Sequence, residues 1–171
     1  MFKQTVYAMA LTATLSFSAA SQAADLDVEK YNALALEVVQ GALSGNPNID
    51  DLIAKNKQLV TMGKAACQAR ATSSPQDAPL MNLVAKNADH MQTLSLEEIE
   101  EQWHDGEFVT ANGIDLDAYD HYGEAISLMD TVVHPATSVI ALDLYKQTGD
   151  EALLEQVKDE VTEVMEHIKQ L

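Results

Sequence analysis

This sequence predicts an all-α fold, an up-and-down helical bundle of about four long helices plus one or two short ones, on three observations. Apolar residues recur every three or four positions along nearly the whole chain after residue 24, the spacing of one face of an α-helix. No stretch shows the strict apolar/polar alternation of a half-buried strand. Clusters that stop or cap helices punctuate the pattern at Gly45-Asn46-Pro47, from Ser73 to Pro79 and at Gly149-Asp150.

The first helix is expected from about Leu26 to Leu43. In the second, Ile49, Leu52, Ile53, Leu59, Val60, Gly63, Ala66 and Cys67 draw one narrow stripe that ends near Arg70. Leu80, Leu83, Val84, Met91 and Leu94 mark a third. Ser95-Leu96-Glu97-Glu98 fits a capping box, in which the Ser hydroxyl accepts from the N3 amide and the Glu carboxylate reaches back to the Ser amide. A short acidic helix should follow through Trp103 and His104. Gly106 to Asp115 reads as irregular, with Asn112-Gly113 as a turn. The helical pattern resumes at Leu116 and runs to Tyr145, with a kink or break expected at His134-Pro135, because proline lacks an amide donor and disfavours the α conformation before it. Last, Leu154, Val157, Val161, Val164, Ile168 and Leu171 step by three and four, a seam that calls for a facing helix inside the bundle or from another chain.

At the start, Lys3, an uncharged stretch from Thr5 to Ala20 and the small-x-small triplet Ser21-Gln22-Ala23 have the order of a cleaved secretory signal. Residues 1–23 are therefore read as the signal peptide and residues 24–171 as a single acidic helical-bundle domain, periplasmic or secreted. No Cys follows the cleavage site to carry a lipid. The apolar run from Ala125 to Leu142 is interrupted by Asp130, His134 and Pro135, so no membrane insertion is expected after cleavage. Cys67 is the sole cysteine, which rules out an internal disulfide and suits a small buried apolar side chain.

The 171 residues carry 10 Lys and Arg against 27 Asp and Glu. Removing the signal takes away only Lys3, leaving 9 against 27 and a formal charge of −18. Such a balance argues against nucleic acid, whose phosphates call for basic patches. It leaves a cationic ligand, a basic protein or a second copy of the chain, as a homodimer, as partners.

Chemical signals concentrate in the histidines. All five lie in the second half, and four follow a carboxylate by four residues: Glu100 with His104, Asp117 with His121, Asp130 with His134, Glu163 with His167. Positions i and i+4 share a helix face, so each pair can act as an ion pair or as two metal ligands. The densest group is Asp117, His121 and Glu124, expected along one side of a helix. With His134, read as sitting at a helix end in an apolar stretch, and His167, these form the candidate metal set. A divalent metal ion is one candidate cofactor; a b-type haem held between a His and one of Met62, Met81, Met91, Met129 or Met165 is another. A c-type haem is excluded by the single Cys. Asp115 to Asp120 alternates acids like a calcium loop but lacks the turn glycine and the twelfth-position acid, where Asp120 and Ile126 stand. Serine-hydrolase elbows, phosphate-binding glycine loops and zinc-protease motifs are absent, so the reading is a binding protein rather than an enzyme. Its alternative is a protein-protein interaction module, an adaptor, inhibitor or chaperone-like subunit, using the acidic surface or the C-terminal seam.

Overall fold

The computed structural model describes residues 26–171 apart from 122, so the signal reading of residues 1–23 lies outside the described residues. Five longer helices, α1 (Val28–Ala42), α2 (Ile49–Ser73), α3 (Ala78–Met91), α6 (Glu124–Thr148) and α7 (Ala152–His167), form an all-α bundle. Between α3 and α6 lie α4 (Leu96–Ile99), a π-helical turn (Glu100–His104), α5 (Glu107–Ala111) and a 3₁₀ turn (Leu116–Ala118). Among the described residues there is no strand.

Local chemistry sets the ends of these helices. Asp27 and Asn48 accept from the amides of Lys30 and Asp51 and so start α1 and α2. The capping box at Ser95 is formed in both directions. Gly149 ends α6 in the left-handed conformation at φ 68°, and the Asp150 carboxylate accepts from the Ala152 amide to begin α7.

Four helices close a ring in the order α1, α2, α6, α7, and α3 lies outside it against α2 and α6. One apolar core fills the ring, with Tyr31, Val38, Leu59, Leu142, Val157, Val161 and Val164 all fully buried. A second lies between α2, α3 and α6 and extends under Ile99, Trp103 and Val109. The C-terminal seam is thus largely spent inside the molecule. Val157, Val161, Val164 and Ile168 are buried within the ring, Leu153 takes the inward place at the start of α7 while Leu154 is half-buried, and Leu171 is 40% exposed.

α6 belongs to both cores. It is long and apolar enough to cross a membrane, but 94% of its most apolar window is buried by the other helices. Three expectations about this region are corrected. The helix starts at Glu124 rather than Leu116, because residues 116–118 form a separate 3₁₀ turn. α5 occupies part of the segment read as irregular. Most informatively, α6 runs unbroken through Pro135, and His134 lies in its interior rather than at an end.

Proline removes the donor that should reach the carbonyl four residues earlier, here that of Thr131. That carbonyl accepts instead from the Tyr31 hydroxyl of α1, at 3.0 Å and fully buried. Burial, with the nearby Asp130 adding to it, raises the Tyr31 pKa well above the ordinary phenol value, which keeps the donor protonated. Gly63 of α2 leaves room for the same carbonyl, since a Cβ there would stand 2.6 Å from the Thr131 oxygen. The free Cys67 is buried beside it, its Sγ 3.4 Å from the Leu128 carbonyl, and burial pushes its thiol up to about 12.

Tyr31→Phe keeps the ring and deletes the donor, so it should cost about 1–3 kcal/mol in urea denaturation, the penalty of an unsatisfied buried acceptor. An unchanged midpoint would mean that the Thr131 carbonyl has another partner.

Candidate metal centre

α6 and α7 form an antiparallel hairpin, and this pairing builds the site. On α6, Asp130, His134 and Thr137 follow at four and three residues and share an edge. On α7, Glu160, Glu163 and His167 do the same. With the helices antiparallel, His134 meets Glu160 and Asp130 meets His167. His134 Nδ1 lies 2.8 Å from Glu160 Oε2, and its Nε2 lies 3.9 Å from Asp130 Oδ1. Asp130 Oδ2 in turn approaches His167 Nδ1 at 2.5 Å.

Two more imidazoles come from outside the hairpin. The π-helical turn, closed by the Asp105 amide on the Glu100 carbonyl, brings both Trp103 and His104 inward towards α6. Such widened turns are rare and recur at functional sites. His104 Nε2 lies 3.0 Å from the Thr137 hydroxyl and 3.8 Å from Glu160 Oε2. Because the Thr137 hydroxyl donates to the Val133 carbonyl, its oxygen is left to accept from the imidazole. His121 stands in the turn before α6, its ring edge-to-face with His167 at a centroid distance of 5.1 Å. Imidazoles and carboxylates therefore alternate through the site in the order His104, Glu160, His134, Asp130, His167, with His121 beyond.

These groups sit in or beside a cavity of about 380 Å³. Trp103, Ile126, Met129 and Val133 make its apolar wall, and Asp117, Asp130 and Glu163 bring carboxylates to it. Neither Lys nor Arg is among the described residues that line it. The side chains of Asp130, Glu160, His134 and His167 are only 9%, 11%, 6% and 6% exposed, so their charges must be balanced within the site. For His134, burial opposes the proton. The hydrogen bond to Glu160 and the fields of Asp130, Glu160 and Glu163 outweigh that, and its pKa rises above the ordinary 6.5. His167 is raised too, chiefly by Asp130 and against the effect of burial.

Both shifts carry a sign for stability. A group whose folded pKa is raised contributes stability that is fully present below its unfolded value and is lost as pH climbs through the folded one. The metal-free protein should therefore lose thermal stability as pH rises from about 6.5 upwards. A melting temperature in chelator that rises over this range would contradict the pairing of His134 and His167 with buried carboxylates.

Among the described residues, His104, His134 and Glu160 form the group able to close around one ion, with a ligand atom from each all within 4.8 Å of one another. Donors at tetrahedral zinc bond lengths of 2.0–2.2 Å stand about 3.4 Å apart. Two of the three separations, 2.8 Å from His134 Nδ1 and 3.8 Å from His104 Nε2 to Glu160 Oε2, bracket that spacing.

The sequence-derived candidates fall into two groups. His121, Asp117, His134 and His167 all line the cavity. Glu124 does not: it opens α6, and its Oε2 pairs with Arg70 Nη1 at 2.6 Å. Nor do Asp117, His121 and Glu124 share a helix face, since the first is in the 3₁₀ turn, the second in a turn and only the third in α6. Glu160, and His104 as a partner of other histidines, were missed. The signal for Glu160 was its place exactly two turns before His167 on one edge of α7, set against Asp130 and His134 in an antiparallel hairpin.

No model of a known protein family, no curated protein and no solved structure matches the chain, so the site must be read from its own chemistry.

Proposed function

We propose that this chain is an exported binding protein that holds a divalent transition-metal ion on His104, His134 and Glu160. The observation that carries the reading is the convergence of these three donors, drawn from three separate segments, beside a cavity lined by further acids. Two imidazoles and one carboxylate suit zinc, copper, nickel or ferrous iron, whereas calcium and magnesium call for oxygen ligands. Three protein donors leave a coordination position for water or an exchangeable ligand. An organic cation is less well served, because an ammonium gains nothing from imidazole lone pairs and is repelled by imidazolium. A haem is less well served too. Met129 alone among the candidate methionines lines the cavity, and a wall of carboxylates does not suit the apolar faces of a porphyrin.

In the metal-free protein, the raised pKa values of His134 and His167 favour protons that balance the buried carboxylates. Metal uptake should displace them, so affinity should rise with pH. The test is titration of chelator-treated protein with Zn²⁺ and Cu²⁺ by calorimetry and native mass spectrometry, with Ca²⁺ and Mg²⁺ as controls. Wild type should retain a transition-metal ion. His104→Ala and Glu160→Gln should weaken it at least about 100-fold, the upper end of what losing even an outer-shell partner costs. Wild type that holds no ion, or variants that bind as wild type does, would overturn the reading.

A further inference from the structure

The triad uses three donors, and a second set of the same kind lies at the other end of the cavity. We infer that the cavity holds a second divalent transition-metal ion on His121, Asp130 and His167, which makes the centre dinuclear. The inference rests on the reading just given and extends it.

Three observations carry it. First, the donor chemistry is repeated: again two imidazoles and one carboxylate, with His167 against Asp130 at 2.5 Å and the His121 ring on His167. Asp130 and His167 are deeply buried, so they are not solvated surface groups that happen to be neighbours. Second, the two sets are contiguous. The His134 and His167 rings lie 6.4 Å apart, and Asp130 stands between them with one oxygen towards each. A carboxylate in this position lowers the repulsion between two cations. Third, the charge suffices. Two dications side by side need nearby anions, and Asp117, Asp130 and Glu163 line this cavity with Glu160 beside His134.

The two positions differ in rigidity. The first draws two of its donors, His134 and Glu160, from the packed α6–α7 hairpin. The second takes His121 from an exposed turn, whose ring must move to complete the set. The second ion should therefore bind after the first and more weakly.

Zn²⁺ titration of the full metal-free chain, followed by native mass spectrometry, reads the stoichiometry directly. Wild type should fill in two steps, to one ion and then two. His121→Ala, at an exposed position, should stop at one ion with the first affinity within a few-fold of wild type; His167→Ala should also stop at one. Circular dichroism of each variant checks the fold. Saturation of wild type at one ion, lost with His104→Ala but indifferent to His121→Ala, would overturn the second position and leave the first intact. Two ions that both persist in His121→Ala and His167→Ala would place the second elsewhere on the acidic surface and overturn it as well. A wild type that takes up no ion would remove both readings together.

Discussion

His134→Ala should lower the stability of the metal-free protein by about 3–5 kcal/mol near pH 6, the cost of leaving buried charge without its partner. The imidazole lies between the Glu160 and Asp130 carboxylates, at 2.8 and 3.9 Å, on a hairpin seam where all three side chains are about nine-tenths buried. Removing it leaves both acids facing a void, with His167 still against Asp130, and His104 and the Gln156 amide near Glu160. Transition-metal binding should fall with it, since His134 belongs to the triad. Urea titration at pH 6 and again at pH 8 checks the first part. The penalty should shrink as the pH rises through the raised pKa of the wild-type imidazole and its proton is given up. A loss below about 1 kcal/mol at pH 6 would mean that water balances these carboxylates, as it does for surface pairs.

Gly63→Ala is the second large effect, and it has no connection with charge. A Cβ at this position would stand 2.4 Å from the Thr131 hydroxyl oxygen and 2.6 and 2.8 Å from its carbonyl oxygen and carbon. A backbone cannot yield as a flexible side chain can, so α2 and α6 must separate. Overpacking costs about 1–3 kcal/mol, and contacts this short with main-chain atoms belong at or above the top of that range. Alanine is the better helix former by about 1 kcal/mol, which makes a net loss all the more diagnostic. Because Thr131 adjoins Asp130, the substitution should also weaken metal binding without touching a ligand. Denaturation and Zn²⁺ titration of one sample would show both effects; a stabilised Gly63→Ala protein would mean that the helices do not pack backbone to backbone there.

How far the sequence could be read depended on whether the deciding contact was local. Helix ends at Ser95 and Gly149 were legible because a cap involves residues within one turn. The Asp130–His134 pair was legible for the same reason. The continuity of α6 was not, because Pro135 acts through Thr131, and Thr131 is answered by Tyr31 of another helix. His121, Asp117, His134 and His167 were singled out and do line the cavity, yet the i to i+4 argument that grouped Asp117, His121 and Glu124 assumed a helix that is absent there. Glu160 escaped notice since its partner is on the facing helix, and sequence spacing within α7 does not reveal which edge faces which neighbour. His104 depends on a π-helical turn that the pattern of apolar residues did not signal.

The hydrogen bond from Tyr31 to the Thr131 carbonyl joins residues 100 apart. Its effect extends to the order of assembly. The α6–α7 hairpin has short-range contacts and can form early, but with Pro135 in its first arm it carries an unanswered carbonyl beside the residues that face the cavity. That vacancy closes only when the opposite end of the chain docks. The arm bearing Asp130 and His134 thus reaches its final shape through a loop closure of 100 residues, so a chain lacking α1 should present the right ligands on an incompletely fixed frame.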